Sequence, residues 1–246
     1  MQYVYMNYGY PYQYNSVIDR TVLYGMEYGG LNINPVTVYT KELRYKKDYI
    51  EVDLRIPVFQ GPMFQTAVNR MNTAIESDIR EFNRQMEEAA KEYVEGPMLE
   101  GRDVIPYRIS NVYRVTYNRN NIISIVLTYY EFVGGRDYYI KVSYNYNLLT
   151  GRPLSLSDLF RENIDYKKLI DEAIRSEVRR NPEAYFPGTI ERFQGITVGQ
   201  PFYIENERIV IFFGFHQIAP TEAGIPVIAL PFTLFGNALR PELLVR

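Results

Sequence analysis

Apolar side chains fill every second position between Ile50 and Val58: Ile50, Val52, Leu54, Ile56 and Val58 alternate with Glu51, Asp53, Arg55 and Pro57. A period of two with one wet face predicts a half-buried strand. Pro57 has no N–H to give to a ladder, which places this part of the strand at a sheet edge or a bulge. Gly61-Pro62 breaks the run, and the period then changes to that of a helix. Phe64, Val68, Met71, Ile75, Ile79, Phe82, Met86 and Tyr93 recur at steps of three and four, which draws one apolar stripe from about Pro62 to Val94. The other faces carry Asn69, Arg70, Glu76, Asp78, Arg80, Glu81, Glu87, Glu88 and Lys91. A continuous helix of that extent is about 45 Å long, and Gly96-Pro97 is expected to end it. Such a stripe can dock a partner helix, but covering the sheet that follows is the simpler assignment.

Three strands come next. Ile105, Tyr107, Ile109, Tyr113, Val115 and Tyr117 alternate, Asn118-Arg119-Asn120-Asn121 turns the chain, and Ile122 to Val133 is apolar on both faces. Gly134-Gly135 makes the next turn before Tyr138, Ile140, Val142, Tyr144 and Tyr146 alternate again, ending at Thr150-Gly151. Short turns between consecutive strands predict an antiparallel meander. Ser155-Leu156-Ser157-Asp158 has the form of a capped turn. A second helix follows, with Tyr166, Leu169, Ile170, Ala173, Ile174 and Val178 on one face and a stop near Asn181-Pro182. Phe202–Ile204, Ile209–Phe215 and Ile225–Leu230 are predicted strands, with Asn206 at a hairpin tip. The fold class is therefore α+β, with antiparallel sheets covered by one long and one shorter amphipathic helix. Residues 1–35 form a tyrosine-rich arm, 36–100 a strand–long helix unit, and 101–246 a meander–helix–hairpin unit.

The composition narrows the function more than it identifies it. The 246 residues carry 27 basic and 29 acidic side chains, a formal net charge of -2, well mixed along the chain. No basic stripe is present to neutralise phosphates, so nucleic acid is not the expected partner. With no cysteine, thiolate chemistry and disulfides are excluded. No apolar run reaches the ~18–20 residues of a membrane span, and the first residues lack the pattern of a signal peptide. Tyrosine is the unusual residue, at 24 with no tryptophan. Tyr3, Tyr5, Tyr8, Tyr10, Tyr12 and Tyr14 lie among Asn, Gln, Gly and Pro, a bias that suits either a tail or an adhesive arm. Such an arm predicts docking on a sheet edge, of the same chain or of a neighbour, and the expectation taken is a neighbour, giving a homo-oligomer or filament.

Several segments together resemble a known family. They are Glu131-Phe132-Val133-Gly134-Gly135, Tyr144 to Gly151, Leu154 to Phe160, Phe202-Tyr203-Ile204 and Phe215 to Pro226. Their order and spacing resemble the C-terminal domain family of the anti-sigma factor RsiV. The accessory region of the peptidoglycan deacetylase PdaC is similar, and the strand and long helix resemble the module that precedes it. The resemblance covers about Ile105 to Leu230 and implies an α+β fold and a role near the cell wall, at the cell envelope or a spore surface. In RsiV this module binds lysozyme; in PdaC the deacetylase chemistry belongs to a different domain that has no counterpart in this sequence. Members often carry a histidine just after the double glycine, where this chain has Arg136-Asp137. The chain also shows no membrane anchor or sigma-binding region, which argues against an anti-sigma role.

Candidate chemistry is sparse. His216 is the only histidine, so a His-based metal site is excluded and any Ser–His–Asp arrangement must use it. Asp137, Glu131 and Glu222 are its possible acids, and Ser124, Ser143 or Thr221 its nucleophiles, but no nucleophile-elbow motif is present. Glu131 and Asp137 flank the Gly134-Gly135 turn and form the one carboxylate pair worth weighing for glycoside hydrolysis. No catalytic residue, metal or cofactor is assigned. The loop Phe215 to Gly224 is the best binding candidate, with Phe215, His216, Gln217, Pro220, Thr221 and Glu222 joined by Tyr138. Pro220 and Gly224 also serve simply to shape the return of the chain. The expectation is a non-enzymatic binding module for a protein or cell-wall glycan, with a self-assembling surface protein as the alternative.

Overall fold

A computed structural model describes residues 36–99, 104–220 and 223–244. The tyrosine-rich arm, including Tyr3, Tyr5, Tyr8, Tyr10, Tyr12 and Tyr14, lies outside the described residues, as do Thr221 and Glu222. The chain opens with β1 (Thr37–Lys47) and β2 (Ile50–Gln60), then the long helix α1 (Gln65–Leu99). The meander is β3 (Tyr107–Arg119), β4 (Ile122–Val133) and β5 (Arg136–Asn147), followed by the two-residue β6 (Arg152–Pro153). Helix α2 (Tyr166–Arg180) leads to β7 (Phe202–Glu205), β8 (Arg208–Phe212) and β9 (Val227–Pro231). The fold is α+β, and strands β1 to β6 form one sheet in sequence order while β7 to β9 form a second.

The meander is antiparallel, as its short turns predict, but the first sheet as a whole is mixed where antiparallel sheets were expected. β2 and β3 pair in parallel from Ile50↔Tyr107 to Asp53↔Ser110. The long helix connects them, and a crossover that returns the chain to the same end makes its flanking strands parallel. The sheet thus runs without a break from the strand–helix unit into the meander. α1 also continues past Gly96-Pro97 to Leu99, so that pair falls inside the last turn rather than ending the helix.

Beyond Asp53 the two strands diverge, and three residues deal with the exposed edge of β2. Asn111 accepts from the Arg55 N–H (2.6 Å) and donates to the Arg55 carbonyl (3.0 Å). Asn72 does the same for Phe59, at 2.8 and 2.9 Å. Between them, Pro57 presents the same edge and has no N–H to satisfy. The proline expected at an edge sits where the neighbouring strand has left.

The layers follow from the side-chain pattern. Val68, Met71, Ile75, Ile79, Phe82, Met86, Ala90 and Val94 of α1 are buried on the inner face of the first sheet. Tyr93 departs from this stripe, 40% exposed, with its ring 5.2 Å from that of Tyr107. In the second sheet β7 and β8 are buried on both faces, which is why they are continuous apolar runs, whereas β9 alternates between buried and exposed positions. Ile209 and Ile211 join a cluster with Ile170, Ile174 and Val178 of α2. Val210 and Phe212 pack instead with Val126 on the outer face of the first sheet. The order is α1, first sheet, second sheet, α2. Ser124 and Asn145 fasten the two sheets together. The Ser124 hydroxyl donates to Asn145 Oδ1 (2.6 Å) and accepts from the Ile204 N–H (2.9 Å), while Asn145 Nδ2 donates to the Phe202 carbonyl (2.8 Å).

Candidate functional site

A groove of about 610 Å³ runs along the free edge of β5, where the two sheets meet. Lys141, Ser143 and Asn145 of β5 line it, with Val198 to Phe202 and Phe212 to Phe215 forming the opposite wall. The groove exists because β6 pairs with β5 only at Tyr146↔Pro153 and Asn147↔Arg152. The rest of the β5 edge, from Arg136 to Tyr144, has no strand beside it among the described residues.

Period-two alternation sorts the β5 side chains. Ile140, Val142, Tyr144 and Tyr146 belong to the α1 side, whereas Lys141 and Asn145 face the second sheet, where Lys141 Nζ lies 5.9 Å from the Phe212 ring centre. Burial holds the Lys141 amine below the usual lysine range, and the Arg114 charge pushes it further down. No ion pair involves Lys141 among the described residues, because nearby Glu205 is engaged by Arg114. On the helix side of the groove, the Tyr144 hydroxyl donates to Asp78 Oδ2 at 3.0 Å. Burial, then the neighbouring Tyr129 and Asp78, raises that hydroxyl's pKa. Gln200 Nε2 donates to the Phe212 carbonyl at 2.8 Å, so this amide serves the wall.

The loop singled out from sequence reaches the groove only in part. Phe215 lines it, buried at 6% exposure, with its ring edge-on to Tyr139 at 4.6 Å. Tyr139 also accepts from the Ile225 N–H at 3.2 Å, which ties the far end of the loop to β5. His216 is exposed on the rim with φ 58°, its ring 4.7 Å from that of Phe186. Gln217 accepts from the Gly214 N–H at 2.9 Å and so closes the loop on itself. Pro220 is half-buried. Tyr138 lies on the other face of the sheet, directly opposite Glu131 in β4. Its neighbour Tyr139 is the tyrosine that meets Phe215. Sequence reasoning passed over Lys141, Tyr139 and Asn145, although polar residues at alternate positions of a strand flanked by apolar ones were the available signal.

The carboxylate pair is broken by register. Glu131 is opposite Tyr138 and Asp137 is opposite Phe132, so the two acids project from opposite faces. Glu131 itself is 2% exposed, and its Oε1 has no hydrogen-bond partner among the described residues. Burial alone pushes the carboxyl up to about 7. Among the described residues, no group of three or more His, Asp or Glu side chains is placed to hold a metal ion. No helix among them is long and apolar enough to cross a membrane.

A continuous six-stranded sheet under one long helix, locked to a smaller sheet under a second, is a two-part architecture, and two family matches fall one on each part, with most of β5 and all of β6 between them. The chain carries a region matching the family described as Deacetylase PdaC over residues 43–137. A second region matches the Protein of unknown function DUF3298 over residues 157–233. The peptidoglycan-N-acetylmuramic acid deacetylase PdaC of Bacillus subtilis is 21% identical over 223 residues, covering 88% of this chain but 43% of the relative. The chain therefore spans less than half the length of that relative. A DUF3298 family protein of Bacteroides fragilis has the same fold, with a TM-score of 0.66 at 16% identity over 87% of this chain and 97% of that one. A DUF3298 protein of Pseudomonas aeruginosa matches with a TM-score of 0.56 at 16% identity, over 85% and 95%.

Proposed function

We propose that this chain is a non-enzymatic binding module of the cell envelope and that the β5 groove is its site. The observation that carries the reading is the form of the groove: an open cleft with an apolar aromatic wall, a strand edge with no strand beside it among the described residues, and one cation. Concave, mostly apolar sites with a few placed polar groups are the usual form of a binding site. Lys141 would receive a carboxylate of the ligand, and the bare edge would accept its amide groups. A wall component bearing peptide and carboxylate groups fits this chemistry, as does a segment of a protein that acts on the wall. Similarity to a deacetylase of peptidoglycan N-acetylmuramic acid supports the wall as the setting.

The non-enzymatic half of the proposal rests on the same geometry. Glu131 and Asp137 are on opposite faces, and His216 stands on the rim against Phe186. The test is co-sedimentation with purified insoluble peptidoglycan, followed by assay for released acetate and new reducing ends. Retention of the protein, weakened about tenfold or more in Lys141→Glu, is expected, with no product formed. Equal retention of parent and variant would remove the groove from the reading. Acetate or reducing ends formed by the parent but not by Glu131→Gln or His216→Ala would overturn the non-enzymatic assignment.

A further inference from the structure

The backbone of the groove narrows the class of ligand, a step that rests on the proposed function. The Leu154 N–H donates to the Asn145 carbonyl at 2.7 Å, so Asn145 turns its backbone outward from the sheet. Alternation turns the backbone groups of Lys141 and Ser143 outward as well, and no described residue bonds to them there. The side chains of the same two residues line the groove. From Ile140 to Tyr146 the strand contains no proline, and its one charge, Lys141, belongs to the groove. Natural edges are usually guarded by prolines and outward charges, or covered.

We infer that the ligand is an extended segment of a partner protein, added antiparallel to β5 in line with β6, with an Asp or Glu opposite Lys141 and an apolar ring two residues further on. Charge selects the acid. Lys141 Nζ lies 5.9 Å from the Phe212 ring centre and has no ion pair among the described residues, because Glu205 is engaged by Arg114. Facing residues of an antiparallel hydrogen-bonded pair exchange both backbone bonds and share one face of the sheet. A carboxylate opposite Lys141 therefore meets its ammonium. Two residues further on, the added strand comes level with Tyr139, beside the edge-on contact of that ring with Phe215 at 4.6 Å. In the other direction Leu154 already bonds to Asn145, so the added strand begins where β6 leaves off.

The edge itself selects a protein over the other wall ligands. Its outward N–H and C=O sets repeat every two residues, about 6.8 Å apart. An extended chain of L residues returns a matching set at that repeat and sends every second side chain to the groove. A glycan strand has no paired N–H and C=O groups at this spacing. A wall peptide containing D residues loses the alternation that brings acid and ring to the same face.

The probe is the capped L-peptide acetyl-Thr-Thr-Thr-Glu-Thr-Phe-Thr-amide, titrated into the full chain and followed by calorimetry. A methyl group on the Glu nitrogen, which faces β5, should weaken binding about tenfold or more, whereas one on the next Thr nitrogen, which faces away, should change it by less than about threefold. Lys141→Glu should cost about tenfold or more as well, and the peptide with Lys in place of Glu should recover binding to that variant. The recovery separates a lost contact from a misfolded chain. No binding to the parent at about 1 mM peptide, equal weakening by the two methyl groups, or no response to the charge swap each overturns the inference. Retention on peptidoglycan that depends on Lys141, without peptide binding, also overturns it in favour of a glycan or stem peptide, and leaves the proposed function standing.

Discussion

Glu131 is the residue whose perturbation tests the packing most sharply. It projects from β4 toward the α1 side, beside Ile109 and Tyr138 in the adjoining strands. Tyr93, Tyr107 and Tyr138 are the titratable groups near it on this face, while Arg108, Arg136 and Asp137 stand at the same end of the sheet without pairing with it, Arg108 lying over the Phe132 ring. The carboxyl stands at about 7, against 4.5 for the exposed group. Each pKa unit corresponds to about 1.4 kcal/mol, so ionising Glu131 in the folded chain costs about 3.5 kcal/mol. The folded state holds this proton more tightly than the unfolded state between pH 4.5 and about 7. Its stability contribution is therefore fully present below pH 4.5 and lost as pH rises through about 7. Glu131→Gln removes the titration while keeping the shape. Urea denaturation of parent and variant at pH 5 and pH 8 is the assay, read as the difference between the two proteins at each pH. That difference should move in favour of the glutamine variant by about 2–3 kcal/mol from pH 5 to pH 8, or roughly 4–12 °C in melting temperature for a chain of this size. Parallel pH profiles would show that Glu131 has a partner or reaches water, and the argument from burial would fail.

Three further perturbations have expected outcomes. Ile79→Asp puts a charge at a fully buried position of the α1 stripe and should cost several kcal/mol; a melting temperature within a degree or two of the parent would show that the stripe is not core. Gly224→Ala meets both a φ of +76° and a Cβ only 2.6 Å from the Tyr139 hydroxyl, so a loss of about 1–3 kcal/mol is expected. Tyr139→Phe should recover part of it, and strict additivity in the double variant would refute the contact. Ser124→Ala leaves the Ile204 N–H and Asn145 Oδ1 without their shared partner, which should lower stability by about 1–3 kcal/mol in chemical denaturation; a loss below about 0.5 kcal/mol would mean water replaces the hydroxyl.

The elements that were legible in the sequence are those whose signal is local. Gly134-Gly135 adopt φ values of 57° and 80°, and Asn206-Glu207 adopt 46° and 57°, as tight hairpin turns require. The Ser155 turn is held as its sequence suggests, with the Ser155 N–H donating to Asp158 at 2.8 Å. β1 was not legible because it is an edge strand with mostly exposed, charged side chains, so no apolar alternation marks it. Its support comes from afar: Lys41 pairs with Glu76 of α1 at 2.8 Å, and the Tyr45 hydroxyl donates to Glu87 at 2.7 Å. The parallel pairing of β2 and β3 leaves no trace in either strand, since it depends on where a long helix returns the chain. The groove was equally hidden. Its two walls come from segments some sixty residues apart, and choosing Tyr138 rather than Tyr139 as a binding residue turned on a parity that only pairing with β4 defines.

The β5 edge, which has no strand beside it from Arg136 to Tyr144 among the described residues, is a consequence of how the two sheets are joined. Asn145 uses its side chain for the second sheet and its carbonyl for Leu154, and Ser124 closes the same junction from β4. These bonds direct the chain after β5 toward the second sheet, so β6 breaks off after two pairs. On β2, by contrast, Asn111, Pro57 and Asn72 leave no outward N–H unanswered. The same sheet thus closes the gap between β2 and β3 with side chains, while among the described residues the β5 edge lies open beside an apolar groove. An open edge invites unwanted pairing between molecules, so stability alone would favour covering β5 as well. The arrangement makes physical sense where an extended ligand lies along β5, as the proposed binding role requires.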